Sequence, residues 1–310
     1  MEEKPPKVSI GLAVYNGENY LEQAINSILS QTFRDFELIV SDNASTDRTK
    51  EICLKYAKQD PRIRYHRNAV NIGGANNENL TFKMARGEYF RWAAHDDYCA
   101  PTLIEKCLEQ LEKDPTVVLC HSKVIAVDGC GETLGPLESN EGTASHPFVR
   151  FCQLSNNRHK CEATYGLVRS SMMANTQLQK NYTGSDRAFL CELAMLGRFV
   201  QLPDYLFYKR FHAKNKFIER RGRMAWFDPK IASEGRITFP TWMGFANYLR
   251  IIHEAPIHWI EKFLCYLWMC GPWVLVNGKR LTKDILAAIH MAFHNREWRR
   301  NLYESTNNWS

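Results

Sequence analysis

The stretch VSIGLAVYNGENYLEQAINSILSQTFRDFELIV, residues 8–40, contains a strand, a helix and a second strand in succession. Residues 8–14 and 36–40 are short apolar runs, which are typical of buried strands. Between them apolar side chains recur at helical spacing, at Leu21, Ala24, Ile25 and Ile28. Repeated units of this kind form right-handed crossovers, so we predict a mostly parallel sheet that helices cover on both faces.

The alternation of strands and helices continues to about residue 128 and then fails. Further strands are predicted at residues 62–66, 88–94 and 117–127, and further helices at 45–56, 73–85 and 101–113. We therefore predict an α/β domain over residues 1–215, followed by a mainly helical extension over 216–310.

The composition is that of an ordinary folded protein, with 310 residues of which 45% are hydrophobic and 24% are charged. The net charge of +6 is too small to indicate nucleic-acid binding, although it suits an anionic ligand or an acidic membrane surface. Ten cysteines occur without a C-x-x-C pair, which indicates free thiols in a reducing compartment. Neither a signal peptide nor a membrane-spanning apolar run is evident, so we expect a cytoplasmic protein.

Polar clusters follow four of the predicted strands, at residues 15–18, 41–47, 71–77 and 95–97. Ligands of parallel sheets bind outside the carboxyl ends of the strands, so we expect the four clusters to meet in one crevice. The carboxylate of Asp42 can accept hydrogen bonds from the NH and OH groups of a nucleotide. The adjacent carboxylates of Asp96 and Asp97 favour Mg²⁺ or Mn²⁺, which can also bridge a diphosphate.

Several ordered blocks of the chain resemble the family 2 glycosyltransferases, a group of inverting enzymes with the Rossmann-like GT-A fold. Two blocks read VSIGLAVYNGENYLEQAINSILSQTF (residues 8–33) and FELIVSDNASTDRT (residues 36–49). The next, NIGGANNENLTFKMARGEYFRWAAHDD (residues 71–97), runs into the acidic pair. The resemblance covers roughly residues 7–215. It implies that residues 1–215 are the catalytic domain, with a nucleotide-binding part over about 7–128 and an acceptor part over about 129–215. It implies a metal-dependent transfer of a sugar from a UDP-, GDP- or dTDP-sugar to the hydroxyl of a glycan, lipid-linked or other acceptor.

The same resemblance implies a role for individual side chains. The donor would be held by Ala13, Tyr15, Glu18, Asp42, Asn71, Asp96 and Arg210. Asp97 and His212 would bind the divalent cation, Mn²⁺ or Mg²⁺, and Lys209 is an alternative to Arg210 as the phosphate contact. The family usually has an acidic residue two positions before Asp96, where this chain has Ala94, which leaves the ribose contact open.

The catalytic residue implied by the resemblance is Asp186, which would act as general base toward the acceptor hydroxyl. It stands at the start of an apolar helix, where an aspartate can also serve the helix N-terminus. The acidic pair could likewise cap the helix that begins near Pro101, and His212 could be a surface histidine. Two other functions remain as alternatives, a sugar nucleotidyltransferase and a non-catalytic nucleotide-sugar-binding protein. The expected pathway is the synthesis of a polysaccharide, glycolipid or other glycoconjugate.

The C-terminal part contains a strongly apolar stretch, FLCYLWMCGPWVLV at residues 263–276, that Gly271 and Pro272 interrupt. Basic residues surround it. One interpretation is a pair of helices packed on the catalytic domain or on a second copy of the chain. The other is a peripheral contact of residues 250–300 with the cytoplasmic face of a membrane, where apolar side chains enter the interface and basic ones meet anionic lipid.

Overall fold

A computed structural model describes residues 4–138, 142–156, 161–211 and 239–293, together with Pro229. Within these residues the strands form one sheet, and they are β1 (Val8–Val14), β2 (Phe36–Asp42), β3 (Ile63–Arg67), β4 (Tyr89–Ala94), β5 (Tyr98–Cys99), β6 (Val117–Asp128), β7 (Thr133–Leu137), β8 (Leu167–Arg169) and β9 (Arg198–Phe211). The strand order is β3-β2-β1-β4-β8-β6-β9-β5, with β7 paired to β6.

Helices surround this sheet and continue beyond it. They are α1 (Leu21–Leu29), α2 (Thr49–Gln59), α3 (Gly74–Lys83), α4 (Leu103–Lys113), α5 (Pro147–Ser155), α6 (Ser170–Ala174), α7 (Ser185–Leu196), α8 (Pro240–Glu254), α9 (Trp259–Trp268) and α10 (Val274–Phe293). A short 3₁₀ helix covers Glu162–Tyr165, and one π-helical turn, Met269–Trp273, joins α9 to α10. The predicted α/β class with a helical C-terminal region is confirmed.

The half of the sheet formed by β3, β2, β1 and β4 is entirely parallel. In its register, Ala13 of β1 lies opposite both Ser41 of β2 and Ala94 of β4. The three strands therefore end at one edge, and the loops that follow them leave the sheet side by side.

The other half of the sheet is mixed, which departs from the mostly parallel arrangement that the alternation predicts. β8 pairs antiparallel with both β4 and β6, and β5 pairs antiparallel with β9. β8 and β5 contain three and two residues, too few for a periodic signal in the sequence. The pairing of β5 with β9 sets Tyr98, which follows the acidic pair, opposite Tyr208.

Each face of the sheet has its own apolar core. One core combines β1 and β2 with α1, α2 and α4, and includes Leu12, Ile25 and Leu38. The second core lies on the face that carries Phe90 and Trp92, where α5, α7 and the C-terminal helices pack. The helical extension contributes its own buried side chains to this second core, among them Tyr248, Ile252, Cys265, Met269 and Trp273.

The helical extension therefore packs on the catalytic part, as one of the two interpretations of its sequence predicts. The predicted boundary near residue 215 lies outside the described residues. Among the helices that are described, none combines the length and hydropathy that a bilayer crossing requires.

Candidate active site

The loops after β1 and β2 are joined by hydrogen bonds between backbone and side chains. The Asn16 N–H donates to Ser45 Oγ at 3.0 Å, and the Thr46 N–H donates back to Asn16 Oδ1 at 2.8 Å. The Gly17 N–H donates to Thr49 Oγ1 at 2.9 Å, on the first turn of α2. The two polar clusters that the sequence places 30 residues apart are thus one wall of a crevice at the edge of the sheet.

Three of the predicted donor ligands lie along this wall. The side chain of Tyr15 is exposed, and Ala13, at the end of β1, is half-buried. Glu18 is exposed, and its carboxylate accepts the Arg48 N–H at 3.1 Å. Tyr15 therefore offers an open ring face, whereas Glu18 also holds the start of α2.

Asp42 lies at the carboxyl end of β2 and is fully buried. Its carboxylate accepts the Ser45 N–H at 2.8 Å, the Tyr65 hydroxyl at 2.9 Å and a close hydrogen bond from the Arg67 guanidinium. Arg67 also donates to the Ser45 carbonyl at 2.8 Å. Asp42 thus fixes the β2–α2 loop, and its predicted contact with a base stays a prediction.

Four asparagine side chains join the loops after β2 and β3 to α3. Asn43 Nδ2 donates to Asn71 Oδ1 at 2.8 Å, and Asn68 Nδ2 donates to Asn77 Oδ1 at 2.9 Å. Asn71 Oδ1 also accepts the Gly73 N–H at 2.9 Å, where Gly73 has a φ of 87°. That left-handed conformation favours glycine, and it lets the chain turn directly into α3. Asn71 therefore positions the loop that leads into α3. Its predicted contact with the donor stays a prediction.

The acidic pair follows β4 at the same edge of the sheet. Asp97 is buried, and its Oδ1 accepts the backbone N–H of Arg210 at 2.8 Å. Asp96 is half-buried, and its carbonyl accepts Arg210 Nε–H at 2.9 Å. β9 thus brings Arg210 against a motif more than a hundred positions earlier in the chain.

Burial and the neighbouring charge of Asp96 raise the pKa of Asp97 well above the ordinary carboxyl range. A carboxylate in this position is electrostatically costly unless a cation lies beside it. Mg²⁺ is commonly held by one or two carboxylates, with phosphate oxygens and water completing the shell, and the pair fits that pattern. In the described part of the chain no group of three His, Cys, Asp or Glu side chains could hold a metal, and His212 lies outside it.

The guanidinium of Arg210, predicted as a donor ligand, is buried and directed into the protein. Its Nη1 donates to the carbonyls of Asp128 and Gly129 at 3.0 and 3.1 Å, and its Nη2 donates to Gln23 at 2.6 Å. These contacts indicate a positioning role for Arg210. Lys209 is the alternative phosphate contact. Its Nζ lies 3.4 Å from Oε1 of the buried Glu162 and forms a salt bridge with it.

Asp186 lies half-buried in the first turn of α7, at the mouth of a cavity of about 550 Å³. Its Oδ1 accepts the Arg187 N–H at 2.8 Å. Glu78 of α3 lies near Asp186, whose charge helps to raise its pKa, and its carboxyl accepts Gln179 Nε2–H at 2.5 Å. Glu78 was not predicted, because its place in an amphipathic helix gives it no separate signal in the sequence.

The two halves of the site meet around Tyr165. Burial, and then the negative charges of Glu78, Asp97, Asp96 and Asp186, raise the pKa of its hydroxyl well above the ordinary value. The acidic pair and Asp186 therefore all lie near Tyr165, and the cation site and the candidate base are close to the same buried ring.

Comparison with known proteins agrees with this geometry. The family model described as Glycosyl transferase family 2 matches residues 9–173. The hyaluronan synthase of Pasteurella multocida is 34% identical over 226 residues, which are 70% of this chain and 22% of that protein. Other curated glycosyltransferases, from Rickettsia and Methanocaldococcus, are matched over only 37% to 45% of their own length.

Solved structures share the fold. TarS 1-349 from S. aureus, in complex with UDP-GlcNAc, has a TM-score of 0.65 at 16% identity, over 97% of this chain and 92% of that chain. The mannosyltransferase PcManGT from Pyrobaculum calidifontis, in complex with GDP-Man and Mn²⁺, has a TM-score of 0.55 at 17% identity, over 99% and 81% of the two chains. At these identities the likeness establishes the common fold.

Proposed function

This chain belongs to glycosyl transferase family 2, and from that premise we propose that it transfers a sugar from a nucleoside diphosphate donor to an acceptor hydroxyl, with inversion at the anomeric carbon. The observation that carries the proposal is the buried acidic pair after β4, in which Asp97 is held by the Arg210 N–H. Asp186 lies near enough that its charge and those of the pair all raise the pKa of the Tyr165 hydroxyl. An inverting transfer needs a base on the side of the reacting carbon opposite the leaving diphosphate, and a bound cation can stabilise the charge of that diphosphate.

In this reaction Asp186 accepts the proton of the acceptor hydroxyl. The acceptor oxygen forms a bond to the anomeric carbon as the bond from that carbon to the donor phosphate breaks, and the nucleoside diphosphate leaves. Asp97 and Asp96 would hold Mn²⁺ or Mg²⁺, which would stabilise the negative charge on the departing diphosphate. Arg210 holds the Asp97 carboxylate through its backbone N–H and the Asp96 backbone carbonyl through its guanidinium.

The donor would lie along the joined loops after β1 and β2, with its base at the open ring of Tyr15. UDP- and GDP-sugars are supported by the ligands of the proteins that share the fold, and a dTDP-sugar is a third candidate. The relationship to a hyaluronan synthase supports a glycan or glycoconjugate as the product. Calorimetric titration with UDP, GDP and dTDP, each with Mn²⁺, would identify the base.

Replacement of Asp97 tests the cation site. Asp97→Asn should lower metal-dependent donor hydrolysis by at least about 100-fold, because the amide lacks the charge that holds the cation. Glu109→Gln, an exposed change on α4, is the matched control and should retain full activity. Unchanged hydrolysis in Asp97→Asn would refute the assignment.

A non-catalytic binding protein would give a different result. It would bind a nucleotide with Mn²⁺ and release no sugar from any donor. The enzyme should hydrolyse its donor slowly without an acceptor, and Asp186→Asn should bind the nucleotide as before while transfer falls. Binding without turnover in the wild-type protein would favour the alternative.

We also propose that the helical extension contacts an anionic membrane surface peripherally. Trp259, Phe263 and Leu267 form one exposed face of α9, and Trp259 is 68% exposed. Leu275 and Val276 at the start of α10 are 82% and 72% exposed. An apolar, aromatic face beside basic residues suits the interface of an anionic bilayer. This contact would place the protein on the cytoplasmic face of a membrane.

Flotation with liposomes tests the membrane contact. The protein should float with phosphatidylglycerol vesicles, and Trp259→Ser with Phe263→Ser should abolish flotation without lowering the unfolding temperature. Sedimentation of the wild-type protein as a dimer that the same changes dissociate would instead assign the face to a second copy of the chain. No flotation with anionic vesicles would refute the membrane proposal.

A further inference from the structure

A cavity of about 550 Å³ opens beside Asp186, between α7 and the helical extension. α8 and α10 supply most of its wall, and α7 supplies the end that carries Asp186. We infer that this cavity binds the acceptor, and that it selects an acceptor that carries a phosphate or carboxylate group. The inference rests on the proposed function, since it takes Asp186 as the base of the transfer.

The position of the cavity separates it from the donor crevice. Among the described residues that line the cavity, none belongs to the loops after β1 and β2. Neither Asp96 nor Asp97 is among them. Asp186 is the link, because it lines the cavity and also lies near Tyr165, whose hydroxyl the charges of the acidic pair affect as well. A hydroxyl that reaches Asp186 from the cavity would thus approach the reacting carbon from the side opposite the cation.

Aromatic rings line the cavity and can stack on the apolar face of a sugar. Tyr182 lies in the loop before α7, Tyr248 lies on α8, and Trp273 lies in the π-helical turn. Trp273 is held in place, because its Nε1–H donates to the Ser155 carbonyl at 3.0 Å. A rigid aromatic wall with a few polar groups is the usual construction of a small-ligand site.

The charge of the cavity points to an anionic ligand. Arg280 and Lys283 of α10 both line it, and their spacing of three residues puts them on one side of the helix. Across the part of the chain that the structure describes, neither forms a salt bridge. Asp284 of α10 lines the cavity as well, and its carboxylate accepts the Thr241 N–H at 2.7 Å at the start of α8.

Arg187 adds a third cation at the end of the cavity that holds Asp186. An acidic group beside the attacked hydroxyl would therefore meet a guanidinium or ammonium group on more than one side. Charge-assisted hydrogen bonds of this type are short and strong, and they suit a phosphate or a carboxylate equally well. A neutral sugar of the same size would offer Arg280 and Lys283 no charge-assisted hydrogen bond.

Direct binding tests the inference without the need for turnover. An array should present matched oligosaccharides in three forms, neutral, uronate-bearing and phosphate-bearing. The wild-type protein should bind an acidic form in preference to the neutral one. In the double variant Arg280→Ala with Lys283→Ala, the ratio of the affinity for the acidic form to the affinity for the neutral form should fall by at least about tenfold.

The matched control is Lys279→Ala, an exposed change on α10 that does not line the cavity and should keep the preference. The acidic form that binds better identifies the anion as uronate or phosphate. Equal binding of neutral and acidic forms, an unaffected double variant, or an equal loss in Lys279→Ala would overturn the inference. Donor hydrolysis, measured in parallel without an acceptor, reports separately on the proposed function.

Discussion

The backbone N–H of Arg210 donates a 2.8 Å hydrogen bond to the buried carboxylate of Asp97, while the Arg210 guanidinium donates to the carbonyl of Asp96. One residue of β9 thus holds both members of the acidic pair from the other half of the sheet. The guanidinium also contacts the rings of Tyr20 and Tyr98 from above, at 4.6 and 5.6 Å from their centroids. Arg210 therefore fixes the geometry of the candidate cation site.

Arg210→Lys should weaken Mn²⁺ binding by about tenfold, because a single ammonium group cannot replace the several hydrogen bonds of the planar guanidinium. Titration calorimetry with UDP, with and without Mn²⁺, measures the effect. A positioning role predicts a loss only when Mn²⁺ is present. If Arg210 were itself a phosphate ligand, UDP affinity would fall equally in EDTA, and Lys209→Ala provides the comparison.

Glu78→Gln should change the pH dependence of stability. Burial raises the pKa of Glu78 to about 8 against the opposing hydrogen bond from Gln179, and the charge of Asp186 adds to the rise. The folded state holds the Glu78 proton more tightly than the unfolded chain does. The free energy of unfolding should therefore fall as the pH rises from 4.5, the ordinary pKa of a glutamate, to about 8. Above about pH 8 the loss should be complete.

The amide variant removes that loss. Relative to wild type, Glu78→Gln should gain on the order of 1 kcal/mol in free energy of unfolding between about pH 5 and about pH 8.5. Urea unfolding at the two pH values measures the difference, with Glu109→Gln as control. Parallel curves for the variant and the wild type would show that Glu78 is not the titrating group.

Gly244→Leu should block the acceptor cavity. A Cβ added at Gly244 would meet its nearest neighbour, the Tyr182 ring, at 3.8 Å, which is an ordinary contact. The larger side chain should therefore extend into the cavity while the helix folds normally. Transfer to an acceptor should fall by at least about tenfold while acceptor-free donor hydrolysis is unchanged.

Gly244→Ala is the control for this change, since it adds only the Cβ and favours the helix by about 1 kcal/mol. It should raise the unfolding temperature and retain transfer. If Gly244→Leu lowered hydrolysis and transfer together, the cavity would not be specific to the acceptor.

Asn77→Ala should destabilise the fold. Asn77 is buried, donates to the Ser41 carbonyl at 2.8 Å and accepts from the Ser41 hydroxyl and from Asn68. Its removal leaves buried polar groups without partners, which costs about 1–3 kcal/mol. Chemical denaturation measures the loss, and Asn19→Ala, an exposed change in the β1–α1 loop, should be neutral. A neutral result for Asn77→Ala would mean that water replaces its contacts.

Hydrophobic periodicity and the polar residues at strand ends predicted the parallel half of the sheet and the meeting of its loops. Those features depend on neighbours along the chain, because the side-chain period of a strand or helix is a local property. The acidic pair and the residues around Asn16, Asp42 and Asn71 were located in this way. The short strands β5 and β8 were not, because two or three residues carry no period.

By itself the sequence determined the class of the fold, the family resemblance and the edge of the sheet at which a donor would bind. Only the tertiary structure decided that Arg210 points inward to hold the acidic pair, that Glu78 lies near Asp186 and that α10 and Asp186 line the same cavity. Each of these relationships joins residues about a hundred positions apart. Side-chain direction across such a distance depends on how the layers pack, and no local pattern records it.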